Sequence, residues 1–128
     1  MVFTGGGTEA DNLAVIGVAR VAAAQGRGRR IVLSAIEHKA VSAAAHLLEP
    51  EGFEVRVVAV GADGLVDLDD LDDALTGPVA VVSVMLVNNE VGAIQPLDAV
   101  AEVVRERAPG AVLHTDAAQA LCWLDVRE

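Results

Sequence analysis

The chain has 128 residues, 53% of them hydrophobic, with a formal charge of −10 and a single cysteine, Cys122. That apolar share excludes a disordered chain, the charge opposes binding to a phosphate backbone and so excludes nucleic-acid recognition as a main role, and one cysteine excludes an internal disulfide. With two Phe, one Trp and no Tyr, the core falls to Ala, Val and Leu, the texture of α/β layers.

The opening residues carry neither a basic stretch nor a long apolar one and do not read as a signal peptide. Gly5-Gly6-Gly7 leads into a helix predicted over 8–25, with Thr8 as its cap, Asp11 three residues on as a capping-box acid and Gly26 as its stop. A buried strand is predicted over 30–36, then a helix over 38–49 ended by Pro50 and Gly52. Residues 54–60 are β-rich. A short acidic helix over 67–75 carries Leu68, Leu71 and Leu75 on one stripe. The strongest strand is predicted over 79–87, a helix over 97–107 before Pro109-Gly110, and a last strand over 111–115.

Helix and strand alternate with short connections, which predicts a mostly parallel sheet flanked by helices. No apolar stretch reaches the ~18 residues of a membrane span, so a cytoplasmic location is the default expectation. The pattern opens on a glycine turn with no strand before it and stops over 124–128 just as a new segment starts. It reads as a piece of a larger domain.

Four turns carry chemistry. Gly5-Gly6-Gly7-Thr8 stands at a helix N-terminus, where free amides favour an anion; a flexible turn capped by Thr8 explains it equally well. It is neither a Walker A loop nor a G-x-G-x-x-G turn. Glu37-His38-Lys39 follows an apolar strand, which puts His38 at the C-terminal edge of the sheet, where an imidazole can stack on a ring or carry a proton. Lys39, the only lysine in the chain, reads as a solvated surface residue. His38, His46, His114 and Cys122 have no metal-site spacing, so no metal is expected. Asn88-Asn89 follows the strongest strand and is either a plain turn or a ligand contact. Asp116, with Gln119 three residues on, ends a strand; it either caps the next turn or pairs with a buried cation such as a protonated pyridine nitrogen. Four candidate contacts thus fall along one edge of one sheet.

Taken together, Phe3-Thr4-Gly5-Gly6-Gly7-Thr8-Glu9-Ala10-Asp11-Asn12, Glu37-His38-Lys39-Ala40-Val41, Val87-Asn88-Asn89-Glu90-Val91-Gly92 and His114-Thr115-Asp116-Ala117-Ala118-Gln119 resemble four ordered motifs of the cysteine desulfurases. These are class V, fold-type I pyridoxal-phosphate enzymes, and Trp123-Leu124-Asp125-Val126 resembles their high-GC actinobacterial members. The resemblance implies an incomplete large domain over 1–128, without the N-terminal arm, the Schiff-base lysine of a Ser-x-His-Lys motif, the persulfide cysteine or the small C-terminal domain. It implies pyridoxal 5'-phosphate as cofactor. Gly7 and Thr8 would hold the phosphate, and His38 would stack on the ring and act in catalysis by proton transfer. Asn89 would contact the ring hydroxyl, Asp116 the ring nitrogen and Gln119 the ring oxygen. Cys122 falls where relatives have proline or glycine and is expected to be structural.

The implied activity is removal of sulfur from L-cysteine, leaving alanine and an enzyme persulfide that serves iron–sulfur cluster assembly or tRNA and cofactor thiolation. Sulfur-acceptor proteins and a second copy of the chain in a homodimer are the implied partners. This chain alone is expected to be inactive. Two alternatives stand beside this reading: another class V enzyme, such as a selenocysteine lyase or an aminotransferase, and a non-catalytic α/β binding module.

Overall fold

A computed structural model describes residues 1–125. Four strands, β1 (Arg30–Ser34), β2 (Glu54–Val58), β3 (Val79–Ser83) and β6 (Val112–His114), form a wholly parallel sheet in the order β2-β1-β3-β6. A separate two-stranded antiparallel pair joins β4 (Val87–Asn88) to β5 (Ala93–Ile94). The helices are α1 (Gly7–Ala24), α2 (Lys39–His46), α3 (Leu68–Ala74) and α4 (Leu97–Arg107).

The apolar residues of the strands point alternately to two helical layers. Ile31, Leu33 and Val81 pack with Val15, Ala19 and Ala22 of α1 and Val41, Ala44 and Ala45 of α2. Val32 and Val82 face the other way, onto Leu71 and Ala74 of α3 and Val100 and Val104 of α4. Both layers carry small or β-branched side chains, which let the helices lie close to the sheet. This is the α/β architecture the alternation predicts.

Two predicted elements change. The strand predicted over 79–87 ends at Ser83: Val84, Met85 and Leu86 lie outside the regular ladder before β4 begins, although the Val84 and Leu86 amides still donate to the His114 and Asp116 carbonyls. Apolar periodicity cannot see that break, since all three residues of the turn are as apolar as the strand. The predicted helix over 38–49 stops at His46 and is followed by a 3-10 turn at Glu49–Glu51, the form Pro50 permits. The last part of the predicted terminal segment, 126–128, lies outside the described residues.

Strand order places the site. From β1 the chain crosses outward to β2; from β3 it crosses the opposite way to β6. The crevice between the C-terminal ends of β1 and β3 is therefore a topological switch point, where open α/β sheets bind ligands.

One glycine locks the entry to β1. Gly28 has φ +134°, and a Cβ there would lie 2.3 Å from the Pro78 carbonyl oxygen. Gly28→Ala is expected to lower stability by at least ~1–3 kcal/mol, the strain of that backbone region alone, and a shift of the urea midpoint measures it.

Candidate functional site

Each of the four turns is held by local contacts, and those contacts decide which side chains remain available. At the start of α1 the cap is Gly6, with no side-chain hydrogen bond, and Thr8 sits inside the first turn. The predicted Thr8 cap and Asp11 capping-box acid are therefore incorrect. Glu9 does the reciprocal job: its Oε2 accepts from the Gly5 amide at 2.6 Å. The first amides of the helix keep no intrahelical acceptor, and the Thr8 hydroxyl makes no hydrogen bond among the described residues.

His38 is the cap of α2. Its Nδ1 accepts from the Ala40 amide at 3.2 Å, so the neutral ring carries its proton on Nε2. Asn88 and Asn89 divide the two readings of their turn. Asn88 is buried and fully used: Nδ2 donates to the Ile36 carbonyl, and Oδ1 accepts from the Glu90 and Val91 amides. Asn89 is exposed, and its side chain makes no hydrogen bond among the described residues. Asp116 keeps both of its readings: Oδ1 caps the Ala118 amide at 2.9 Å, and Oδ2 has no hydrogen-bond partner among the described residues. Gln119 begins the 3-10 turn Ala120–Cys122.

Gly7, Thr8, His38, Asn89, Asp116 and Gln119 line one cavity of about 170 Å³, together with Asp11, Met85 and Ala118. All six site residues read from the sequence are thus brought together. Lys39 is exposed and lines a neighbouring cavity instead, with Glu37 and Glu90. Cys122, expected to be structural, is exposed: the 3-10 turn that carries it buries Ala120 and leaves Cys122 facing outward.

Asp11 is the residue sequence reasoning missed at this site. It is buried, on the same stripe of α1 as Val15, Ala19 and Ala22. An acid in phase with a buried apolar stripe is a detectable signal, obscured here by its resemblance to a capping-box position. Polar atoms of Asp11, His38 and Asp116 lie within 4.8 Å of one another, a set different from the histidines and cysteine weighed for metal spacing. Burial raises the Asp11 carboxyl above its ordinary 3.8, and Asp116 raises it further; His114 and His38 pull it back. Two acids facing one another are a place for positive charge.

A raised carboxyl means that the folded state holds its proton more tightly than the unfolded chain does. Asp11 therefore costs stability as pH rises from its unfolded value through its folded one. Asp11→Asn removes that cost. The variant is expected to gain stability over the parent at pH 8 and to match it near pH 4, as thermal melts at the two values will show.

The aminotransferase class-V family model matches residues 1–126. The chain belongs to this family. Over 126 residues this class-V chain is 45% identical to a cysteine desulfurase IscS of Proteus mirabilis, covering 98% of the chain and 30% of that protein. Among solved structures, DndA from Streptomyces lividans is 41% identical with a TM-score of 0.82, over 92% of this chain and 32% of that one. SspA in complex with cysteine is 34% identical with a TM-score of 0.84, over 98% and 35%. The class-V chain thus spans about a third of the length of the proteins it matches.

Behind the cavity lies a second layer. Glu37 closes the switch-point crevice: Oε1 accepts from the Ser34 hydroxyl at 2.7 Å and the Met85 amide at 2.6 Å, and Oε2 from the Ser83 hydroxyl at 2.9 Å. It joins the ends of β1 and β3 and fixes where His38, the next residue, begins α2. Burial raises its carboxyl above 4.5, while the three donors act to lower it. His114 places Nδ1 2.8 Å from the Ser83 hydroxyl and Nε2 3.7 Å from Asp11. Burial lowers His114 below 6.5, against the pull of Asp11 and Asp116.

Proposed function

We propose that the cavity takes pyridoxal phosphate and that the chain is the cofactor-binding portion of a cysteine desulfurase, which removes sulfur from L-cysteine and leaves alanine and an enzyme persulfide. The observation that carries this reading is the convergence of four separated turns on one cavity, in a chain 45% identical to a cysteine desulfurase over nearly its whole length. A related structure described as holding cysteine supports the substrate class.

The residues fit the cofactor. Asp11 and Asp116 form an acidic pair whose mutual repulsion a cationic ring nitrogen relieves. Asn89, Gln119 and Thr8 present polar side chains to the same space, with no side-chain hydrogen bond among the described residues. When bound, the cofactor supplies an electron sink. The protein's share is binding, orientation and proton placement. The Gly7 and Thr8 amides, with the Thr8 hydroxyl, receive the phosphate at the positive end of α1. His38, its Nδ1 held by Ala40, offers a fixed ring face and a proton at Nε2. Asn89 and Gln119 bond the ring oxygen, and Asp116 keeps the ring nitrogen protonated. Sulfur-acceptor proteins, a homodimeric assembly and a cytoplasmic location belong to the same proposal.

An absorbance titration with pyridoxal phosphate tests it. The parent chain is expected to give saturable spectral changes that are lost in both His38→Ala and Asp116→Ala; unsaturable changes, equal in all three proteins, would sink the reading. The one lysine in the chain, Lys39, does not line the cavity. The 128 residues alone, supplied with cofactor and cysteine, are therefore expected to release no alanine, and sustained release would contradict this.

A further inference from the structure

Three side chains behind the cavity, Glu37, Ser83 and His114, form a line of polar contacts that runs toward Asp11 in the cavity wall, with a definite proton order. Ser83 has one proton to give and two neighbours, the Glu37 carboxylate at 2.9 Å and His114 Nδ1 at 2.8 Å. If Ser83 donates to an ionised Glu37, its oxygen must accept from His114, which puts the ring proton on Nδ1 and a bare nitrogen toward Asp11. If Glu37 is protonated, it donates to Ser83, Ser83 donates to Nδ1, and the ring proton moves to Nε2, facing Asp11.

We propose that Glu37, Ser83 and His114 form a proton relay that sets the charge on Asp11, making Glu37 and His114 positioning residues for the acidic pair. The relay balances atom by atom. Asp11 passes a proton to Nε2, Nδ1 passes one to the Ser83 oxygen, and Ser83 passes one to Glu37 Oε2; each intermediate group gives one and receives one. The 3.7 Å gap between Nε2 and Asp11 is longer than a hydrogen bond, so transfer across it requires the Asp11 carboxyl to approach the ring. Every group concerned faces the relay: Asp11 from α1, Ser83 from β3, Glu37 from the turn after β1, His114 from the end of β6, and Asp116 from the turn that follows β6. His38 faces Asp11 from the far side. Burial favours the neutral forms of Glu37, Asp11 and His114 alike, and one proton shared along the line keeps His114 neutral and one of the two carboxyls uncharged in either state.

The relay concerns the chain's own residues and stands independently of any cofactor; its consequence for a ring nitrogen at Asp116 rests on the proposed function. Two-bond proton–nitrogen spectra of the histidine-labelled full chain read the tautomer directly. With Glu37→Gln, the amide must donate to Ser83 while its oxygen accepts from Ser34 and Met85. His114 is then expected as the Nε2–H tautomer at pH 8, where the parent shows Nδ1–H. A variant that keeps Nδ1–H overturns the relay. The parent alone gives a second reading that needs no substitution: on acidification, His114 is expected to pass from Nδ1–H to Nε2–H before it becomes charged. A single tautomer throughout that range overturns the relay as well. If the tautomer switches but neither the parent nor Glu37→Gln gives saturable pyridoxal phosphate binding from pH 6 to pH 8, the relay holds and the proposed cofactor reading fails.

Discussion

Asp116→Ala is expected to weaken pyridoxal phosphate binding roughly 10–100-fold, because a hydrogen bond to a charged group is worth about 1.5–3 kcal/mol and each 1.4 kcal/mol is tenfold. Alanine also removes the bond from Oδ1 to the Ala118 amide, so the variant mixes lost charge with a loosened turn. Asp116→Asn separates the two. Its side-chain oxygen keeps the cap, while the negative charge opposite the ring nitrogen is gone. If charge dominates, the asparagine variant loses nearly as much affinity as alanine. If it binds like the parent, Asp116 acts only as a turn cap.

The second large effect is one of stability. Glu37→Ala leaves the Met85 amide without its acceptor and strands two hydroxyls, Ser34 and Ser83, in the crevice between β1 and β3. The hydroxyls can rotate to other acceptors; the amide cannot. One unsatisfied buried donor with partial rescue of the other two costs about 3 kcal/mol, which lowers the melting temperature by roughly 10 °C for a chain of this size. Glu37→Gln keeps an acceptor for Met85 and is expected to lose much less. Because Glu37 also fixes the start of α2, the alanine variant is expected to weaken cofactor binding, although Glu37 lies behind the site rather than in it.

Much of this was legible in the sequence. Alternation of a two-residue period with a helical one gave the layers, and the turn residues after the strands gave the edge on which His38, Asn89 and Asp116 meet. What was hidden has physical reasons. The break after Ser83 falls in a run of Val84, Met85 and Leu86, where apolar character continues and single backbone bonds to His114 and Asp116 persist while the regular ladder ends. The start of α1 was misassigned because Thr8 and Asp11 have the spacing of a capping pair, whereas Gly6 and Glu9 perform the task. Glu37, Ser83 and His114 looked unremarkable because each is a single polar residue at a strand end. Their partners come from β1, β3, β6 and α1, and only the fold brings those together. Asp11 differs from them: it is an acid in phase with a buried stripe, a signal masked by its capping-box spacing.

Amide chemical-shift mapping during a pyridoxal phosphate titration tests whether the four turns together form one cofactor site. Saturable shifts are expected at Gly7 and Thr8, at the Asn89 and Gln119 side-chain amides, and in the His38 ring. Shifts confined to residues outside the cavity, around Lys39 or on the outer face of α1, would contradict it.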